Sequence, residues 1–373
     1  MALGSAQTLA WGSTYYLPAI LANSIAAELG LGTPWIFIAF SAGLLVSAFL
    51  GPTAGRLIDV HGGRRVLPVS NLVMAAGLAL LGATSGIVSL FAAWLVIGIG
   101  TSAGLYEAAF ATLAGIYGRD ARRAITGITL IAGFASTVCW PLSAYMDVTI
   151  GWRATCFVWA AAHLLIGLPI NAMLPPGRTT EKKTEAAAGE ATQGRLLVMI
   201  SLAFVFAAAW FCSTAMAAHL PRVLQESGAS LAAAVAAAAL VGPAQVGARV
   251  LEFWLMRQIH PIVSARIASL AHPVGAAGLI ALGAPAASPF AVIHGAGNGV
   301  MTIASGALPL ALFGPGGYGL RQGVLMAPAR VISASAPFLF DLLLARYGTG
   351  SLAVTGALGV AAFTVLMLIP ARR

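Results

Sequence analysis

Four charged side chains stand inside long apolar stretches of this sequence: Glu107, Arg249, Glu252 and Arg330. An ionisable group at membrane depth is expensive and marks a functional candidate. Arginine keeps its charge in any protein setting, so Arg330, within the apolar run Ala327–Leu339, must face a cavity, an anion or an acid. Its planar fork suits a carboxylate; an ion pair with Glu107 is the alternative. Arg249 stands three residues before Glu252 and either pairs with it or serves an anion. Tyr106, beside Glu107, and Tyr15, Tyr16, Trp210, His294 and Asn298 in other apolar stretches add hydrogen-bonding and aromatic groups, and complete the candidate binding set. Tyr15 and Tyr16 suit either a bound anion or the membrane interface. Histidine as a residue type titrates near neutrality, which makes His294 a candidate for a coupling proton, a plain hydrogen-bond donor being the simpler role. His163 and His219 read as structural. Cys212 and Met216, four residues apart, put two sulfurs on one helix face, a weak candidate pair for a soft ion such as Cu(I). With no third ligand in view, core packing is the simpler account and no metal site is assigned.

The elements that position these groups follow from composition. Hydrophobic residues make up 59% of the 373 positions and charged residues 8%, against about 25% charged in soluble domains. Such a chain cannot hide its apolar surface in one water-soluble core, so its solvent is lipid. A bilayer crossing takes about 20 apolar residues, and twelve crossings with short loops nearly exhaust the length. The apolar segments fall near 3–25, 34–55, 66–85, 88–112, 124–146, 152–174, 196–220, 230–256, 264–283, 286–312, 322–344 and 350–370. The first is too long for a signal-peptide core and shows no cleavage site. The polar stretch Pro175–Arg195 reads as a linker, dividing the chain into 1–174, 175–195 and 196–373. The expected fold is all-α, two six-helix bundles in a membrane.

Lys and Arg set the orientation. One side of the expected membrane collects Arg56, Arg64, Arg65, Arg119, Arg122, Arg123, Arg178, Lys182, Lys183, Arg195, Arg257, Arg266, Arg321, Arg372 and Arg373; the other collects Arg153, Arg222 and Arg346. Fifteen against three places both termini and the linker in the cytoplasm. The net charge of +9 is explained by that bias, so no nucleic-acid partner is implied. Cys139, Cys156 and Cys212 are too few and too scattered for a disulfide framework. No Walker loop, dinucleotide fingerprint or metal-spaced His/Cys cluster occurs, so neither an enzyme nor ATP-driven work is expected, and no cofactor.

The most specific segment is Gly55-Arg-Leu-Ile-Asp59-Val-His-Gly62-Gly63-Arg64-Arg65, between the second and third apolar segments. A tight turn here needs glycine, and Asp59 lies near helix ends and cations, where it can form a charged latch. The latch set is Gly55, Arg56, Asp59, Gly62, Arg64 and Arg65. Glu252 joins it because Arg249-x-x-Glu252 repeats Arg56-x-x-Asp59 at the same place in the second half. Pro141 with Asp147 and Pro337 with Asp341 echo each other similarly.

This loop resembles the G-x-L-x-D-R-x-G-R-R signature of the major facilitator superfamily, with Gly63 inserted and Val60 in place of the usual basic residue. Tyr117-Gly118-Arg119 through Arg122-Arg123, and Gly151-Trp152-Arg153, are similar to bacterial members and to the monocarboxylate and oxalate–formate branch. The fifth segment, Gly127–Tyr145, lacks the Gly-Pro pair of drug–proton antiporters. The resemblance implies two six-helix bundles related by an axis along the membrane normal. It implies a monomeric secondary transporter in the bacterial inner membrane, using a coupling proton or counter-substrate, with Arg249 and Arg330 on the helices that hold a carboxylate in that branch. A small organic anion is the leading substrate; efflux of a hydrophobic compound, soft-metal or metalloid transport, and a non-transporting receptor are the alternatives.

Overall fold

The computed structural model describes residues 1–177, 190–255 and 259–370. Arg178, Lys182, Lys183, Arg257, Arg372 and Arg373 lie outside the described residues, and so does most of the expected linker. Among the described residues the regular structure is entirely helical. The chain begins with α1 (Ala2–Ala10), a π-helical turn at Trp11–Tyr15 and α2 (Pro18–Leu29). It continues through α3 (Thr33–His61), α4 (Gly63–Gly82), α5 (Ile87–Ser102), α6 (Tyr106–Tyr117), α7 (Ala121–Ala132) and α8 (Ala135–Ala162). A second π-helical turn, His163–Gly167, leads to α9 (Leu168–Ala172). After the linker come α10 (Glu190–Glu226), α11 (Leu231–Ala239), α12 (Val241–Leu255), α13 (Pro261–Leu282), α14 (Ala287–Phe313), α15 (Tyr318–Tyr347) and α16 (Ser351–Leu368).

Eight stretches among the described residues are long and apolar enough to cross a membrane; two of them, Ile87–Ala172 and Tyr318–Leu368, have the length of several crossings. The apolar side chains point outward as often as inward. Phe49 is 73% exposed, Val88 81% and Leu165 76%. In water such a surface would drive association; here it is the lipid-facing coat of a multi-pass membrane protein.

Small residues govern the interior. A methyl group on Gly43 of α3 would lie 2.6 Å from the Trp94 carbonyl of α5, and one on Gly98 of α5 would lie 2.3 Å from the Gly43 carbonyl. Only glycine permits that approach. Breaks are equally local. Gly62 (φ 77°) turns α3 into α4, and Gly151 (φ 81°) kinks α8 where Trp152 begins the next expected segment. Positive φ at both favours residues without Cβ. Gly63, the insertion, is explained by packing: a Cβ there would sit 1.9 Å from the Thr112 hydroxyl of α6.

The chain divides into two compact units, the first containing 1–177 and 313–327, the second 190–312 and 328–370. The same three kinds of contact recur inside each. In the first, Ser24 of α2 donates to Asp147 of α8 at 2.6 Å; in the second, Arg222 of α10 donates to Asp341 of α15 at 2.7 Å. The Gly43–Gly98 contact of α3 with α5 is matched by α14 against α12, where a Cβ on Gly299 would meet the Gln245 carbonyl at 2.5 Å. Arg64 of α4 donates to the Ala172 carbonyl ending α9 at 3.1 Å. Arg266 of α13 donates to the Leu366 and Ile369 carbonyls ending α16, at 3.0 and 2.9 Å. The last four carbonyls of a helix lack partners within it, and a cation there also meets the negative end of the helix dipole.

Candidate functional site

The latch segment at the end of α3 meets the start of α15. α3 runs six residues past the expected end at 55, so Asp59 lies in its last turn. The Asp59 carboxylate accepts from the backbone N–H of Gly319 and of Leu320, each at 2.8 Å. These are the second and third residues of α15. A helix start normally finds a capping oxygen on the residue before it. Here that residue is Gly317, which has no side chain, and Asp59 supplies the oxygens from another helix. The approach depends on glycine on both sides. A Cβ on Gly55 would lie 1.9 Å from the Gly319 carbonyl, and one on Gly319 would lie 2.3 Å from the Gly55 carbonyl. Arg321 fixes the preceding turn by donating to the Gly314 and Gly316 carbonyls at 3.1 and 2.6 Å. Of the other latch residues, Gly62 makes the turn and Arg64 caps α9, while Arg56 and Arg65 are exposed.

The first unit also brings together the expected aromatics. Tyr15 and Tyr106 each lie 4.9 Å from Trp11 between ring centroids, and Tyr16 lies 5.9 Å from it. Trp140 meets Tyr16 edge-on at 5.9 Å. Trp11, which sequence reasoning missed, is the hub. The π-helical turn Trp11–Tyr15 re-aims these rings; such turns frequently mark functional sites. Tyr106 and Glu107 open α6 after a break at 103–105. His163 is fully buried, between Ser13 at 2.8 Å and Asn71 at 2.9 Å, which is a structural role.

In the second unit Arg249 and Glu252 are both buried on α12. Arg249 donates to the Gly299 carbonyl of α14 at 3.4 Å, and Glu252 accepts from Ser264 of α13 at 3.3 Å. Arg330 is half-buried on α15. Trp210 packs edge-on against Phe206 of the same helix at 6.5 Å. His219 bonds the Pro337 carbonyl at 2.9 Å. Cys212 donates to the Thr355 carbonyl at 3.5 Å, and Met216 belongs to the apolar core. Among the described residues no group of three His, Cys, Asp or Glu could hold a metal ion. His294 and Asn298 line a cavity of about 40 Å³ together with Cys212 and His272. His272 was also missed, although the rule that flags ionisable groups at membrane depth applies to it equally.

A chain of nearly continuous helix, coated with apolar side chains and joined by glycine turns and charged helix caps, is a polytopic α-helical membrane protein. The family model for the Major Facilitator Superfamily matches residues 3–293, and the chain belongs to that superfamily. Its fold is similar to three solved structures, each over nearly all of both chains. The human organic anion transporter MFSD10 (TETRAN) has 15% identity and a TM-score of 0.74, covering 98% of this chain and 97% of its own. The proton:xylose symporter XylE, bound to 6-bromo-6-deoxy-D-glucose, has 15% and 0.77, covering 99% and 95%. FucP, in the outward conformation, has 14% and 0.75, covering 98% and 97%. At such identities the likeness shows the fold; the family's members are transporters.

Proposed function

We propose that this protein is a secondary active transporter of a small organic anion, working by alternating access. The reading takes the chain as twelve crossings in two six-helix bundles, 1–174 and 196–373, joined by 175–195, in the bacterial inner membrane with both termini cytoplasmic. Family membership supports transport. The observation that carries the substrate class is Arg330, a permanent cation half-buried in an apolar helix. Holding it there costs at least about 3 kcal/mol, and a bound carboxylate offsets part of that through a bidentate contact. Arg249 and Glu252 are assigned instead to packing between α12, α13 and α14. One structural relative is an organic anion transporter, which agrees with this reading without establishing it. The Asp59 cap on α15 is the contact we assign to conformational switching.

The test is a thermal-shift screen of the purified protein against short-chain carboxylates, organic cations and Cu(I). Carboxylates should stabilise the parent, weakly stabilise Arg330→Lys, and leave Arg330→Ala unmoved. A double-mutant cycle with Glu107→Gln on melting temperature separates substrate binding from architecture. Strong coupling together with unchanged carboxylate affinity would sink the anion site.

One observation favours a second reading, export of a hydrophobic cation: the Trp11, Tyr15, Tyr16, Tyr106 cluster with Glu107 next in sequence. Aromatic faces attract cations. Stabilisation by organic cations, lost in Glu107→Gln and kept in Arg330→Ala, would select it.

A further inference from the structure

The cavity in the second unit is walled by Cys212 and Ser213 of α10, Ser269 and His272 of α13, and His294 and Asn298 of α14. A buried water needs about 10–15 Å³, so a cavity of about 40 Å³ has room for roughly three. His272 is 7% exposed and His294 5%. Their Nδ1 atoms are 3.0 Å apart. Two lone pairs cannot face each other at that distance, so one of the two nitrogens carries a hydrogen.

The neighbouring bonds decide which. His272 Nε2 lies 2.8 Å from the Thr355 hydroxyl of α16. That hydroxyl donates its own hydrogen to the Leu352 carbonyl at 3.1 Å. Thr355 is therefore the acceptor, and His272 carries its hydrogen on Nε2. A neutral imidazole has one N–H. Its Nδ1 is then an acceptor, and the hydrogen between the rings belongs to Nδ1 of His294. That commits the only hydrogen of His294 inward. Its Nε2 keeps a basic lone pair, makes no hydrogen bond among the described residues, and belongs to a side chain that lines the cavity.

We propose that this cavity is a proton-binding site, with Nε2 of His294 taking the proton and His272 and Thr355 acting as positioning residues. A hydronium in the cavity loses one O–H bond, an N–H bond forms at Nε2, and a water remains. The pair gains one positive charge; a second proton is opposed by the first across 3.0 Å. Among the described residues, titratable and charged groups on the surrounding helices include these. α10 presents the Cys212 thiol. α12 carries Arg249, which donates to the carbonyl of Gly299, five residues beyond His294, and Glu252 one turn on; neither lines the cavity. α15 places Ile332 and Ala336 against Cys212, with Arg330 two residues before Ile332. α16 contributes the Thr355 hydroxyl to His272 and the Thr355 carbonyl to Cys212, and lines the cavity with the uncharged Gly359 and Ala362. As the binding site for a coupling proton the proposal rests on the transporter reading; as a proton site it stands without it.

The experiment is ¹⁵N NMR of histidine-labelled protein in nanodiscs, titrated from pH 8 to pH 4, with single substitutions assigning the rings. At pH 8 His272 should show its hydrogen on Nε2 and His294 on Nδ1. On acidification Nε2 of His294 should gain a hydrogen before any change at His272, one proton serving both rings. Thr355→Val should release the order, so that the two tautomers average. His272→Gln should leave a single titration at His294. The opposite tautomers, independent protonation of both rings, or no protonation of either by pH 4 would each overturn the proposal. The measurement needs no substrate, so its failure leaves the transporter reading standing. A failed carboxylate screen likewise leaves the NMR result standing.

Discussion

Replacing Asp59 with Asn tests whether the cap on α15 is a switch. The carboxylate accepts two backbone N–H bonds at 2.8 Å. Hydrogen bonds to a charged group contribute about 1.5–3 kcal/mol each; the bond from Gly319 is part-buried and the one from Leu320 exposed, which moves the pair toward the low end of that range. Asn keeps one acceptor oxygen, loses the charge, and turns an NH₂ toward a backbone N–H. The net loss should be about 1.5–2 kcal/mol, or roughly 10- to 30-fold in the closed-to-open ratio at 1.4 kcal/mol per decade. Gln322, on α15 one turn from the cap, is 1% exposed. A cysteine there should react with maleimide only when the contact opens. The three native cysteines are buried and form a quiet background. Asp59→Asn should therefore speed labelling at Gln322→Cys by 10- to 30-fold, change the melting temperature by only a few degrees, and slow solute flux. Labelling unchanged within twofold, with full flux, would falsify the latch.

Gly55→Ala and Gly319→Ala should each force α3 and α15 apart, since the added carbon would fall 1.9 and 2.3 Å from a facing carbonyl. Overpacking costs about 1–3 kcal/mol, so both should accelerate the same labelling and reduce flux. Gly115→Ala, with nothing within 4 Å of the new carbon, should be neutral or slightly stabilising, and equal damage from all three would refute the wedge. Arg266→Ala should lower the melting temperature more than Arg64→Ala, because Arg266 donates to two carbonyls and is the less exposed; the order is read by thermal unfolding in detergent. Reporter fusions at the C-terminus and within 175–195 should both read as cytoplasmic, and a periplasmic readout at either would break the fifteen-to-three orientation argument.

How far the sequence reveals the site depends on how local each feature is. Gly62 and Asp59 are visible as a turn glycine and a nearby acid because a turn is a property of a few residues. The object that Asp59 caps is invisible, since Gly319 lies 260 residues away and carries no side chain to advertise a partner. Tyr15, Tyr16 and Tyr106 are visible singly, as polar aromatics in apolar runs. Their common contact with Trp11 is not, because it depends on a π-helical turn that shifts the helical register by one residue. The break at 103–105 hides in a run of small apolar residues that reads as one helix. Arg64 and Arg266 show their charge in the sequence, and so count toward orientation. Their second task, closing the ends of α9 and α16, needs the third dimension.

The internal repeat is legible in one place and deceptive in another. Arg56-x-x-Asp59 and Arg249-x-x-Glu252 match in spacing, yet their surroundings differ. Arg56 is exposed and Asp59 caps a helix, whereas Arg249 and Glu252 are both buried among α12, α13 and α14. A shared pattern therefore fixes a shared position and leaves the work at that position open. The reverse holds for Asp147 and Asp341. Their partners, Ser24 and Arg222, have nothing chemical in common except a donor hydrogen. What each unit retains is an acid one to two turns beyond a helix proline, six residues on at Asp147 and four at Asp341, reached by a donor near the end of the unit's first membrane-crossing run. A sequence comparison scores Ser against Arg as a mismatch; a hydrogen-bond comparison scores it as conserved geometry. The likeness between the units thus lies more in which helices are tied together than in the residues that tie them, and the ties most worth breaking experimentally are those whose chemistry the two units do not share.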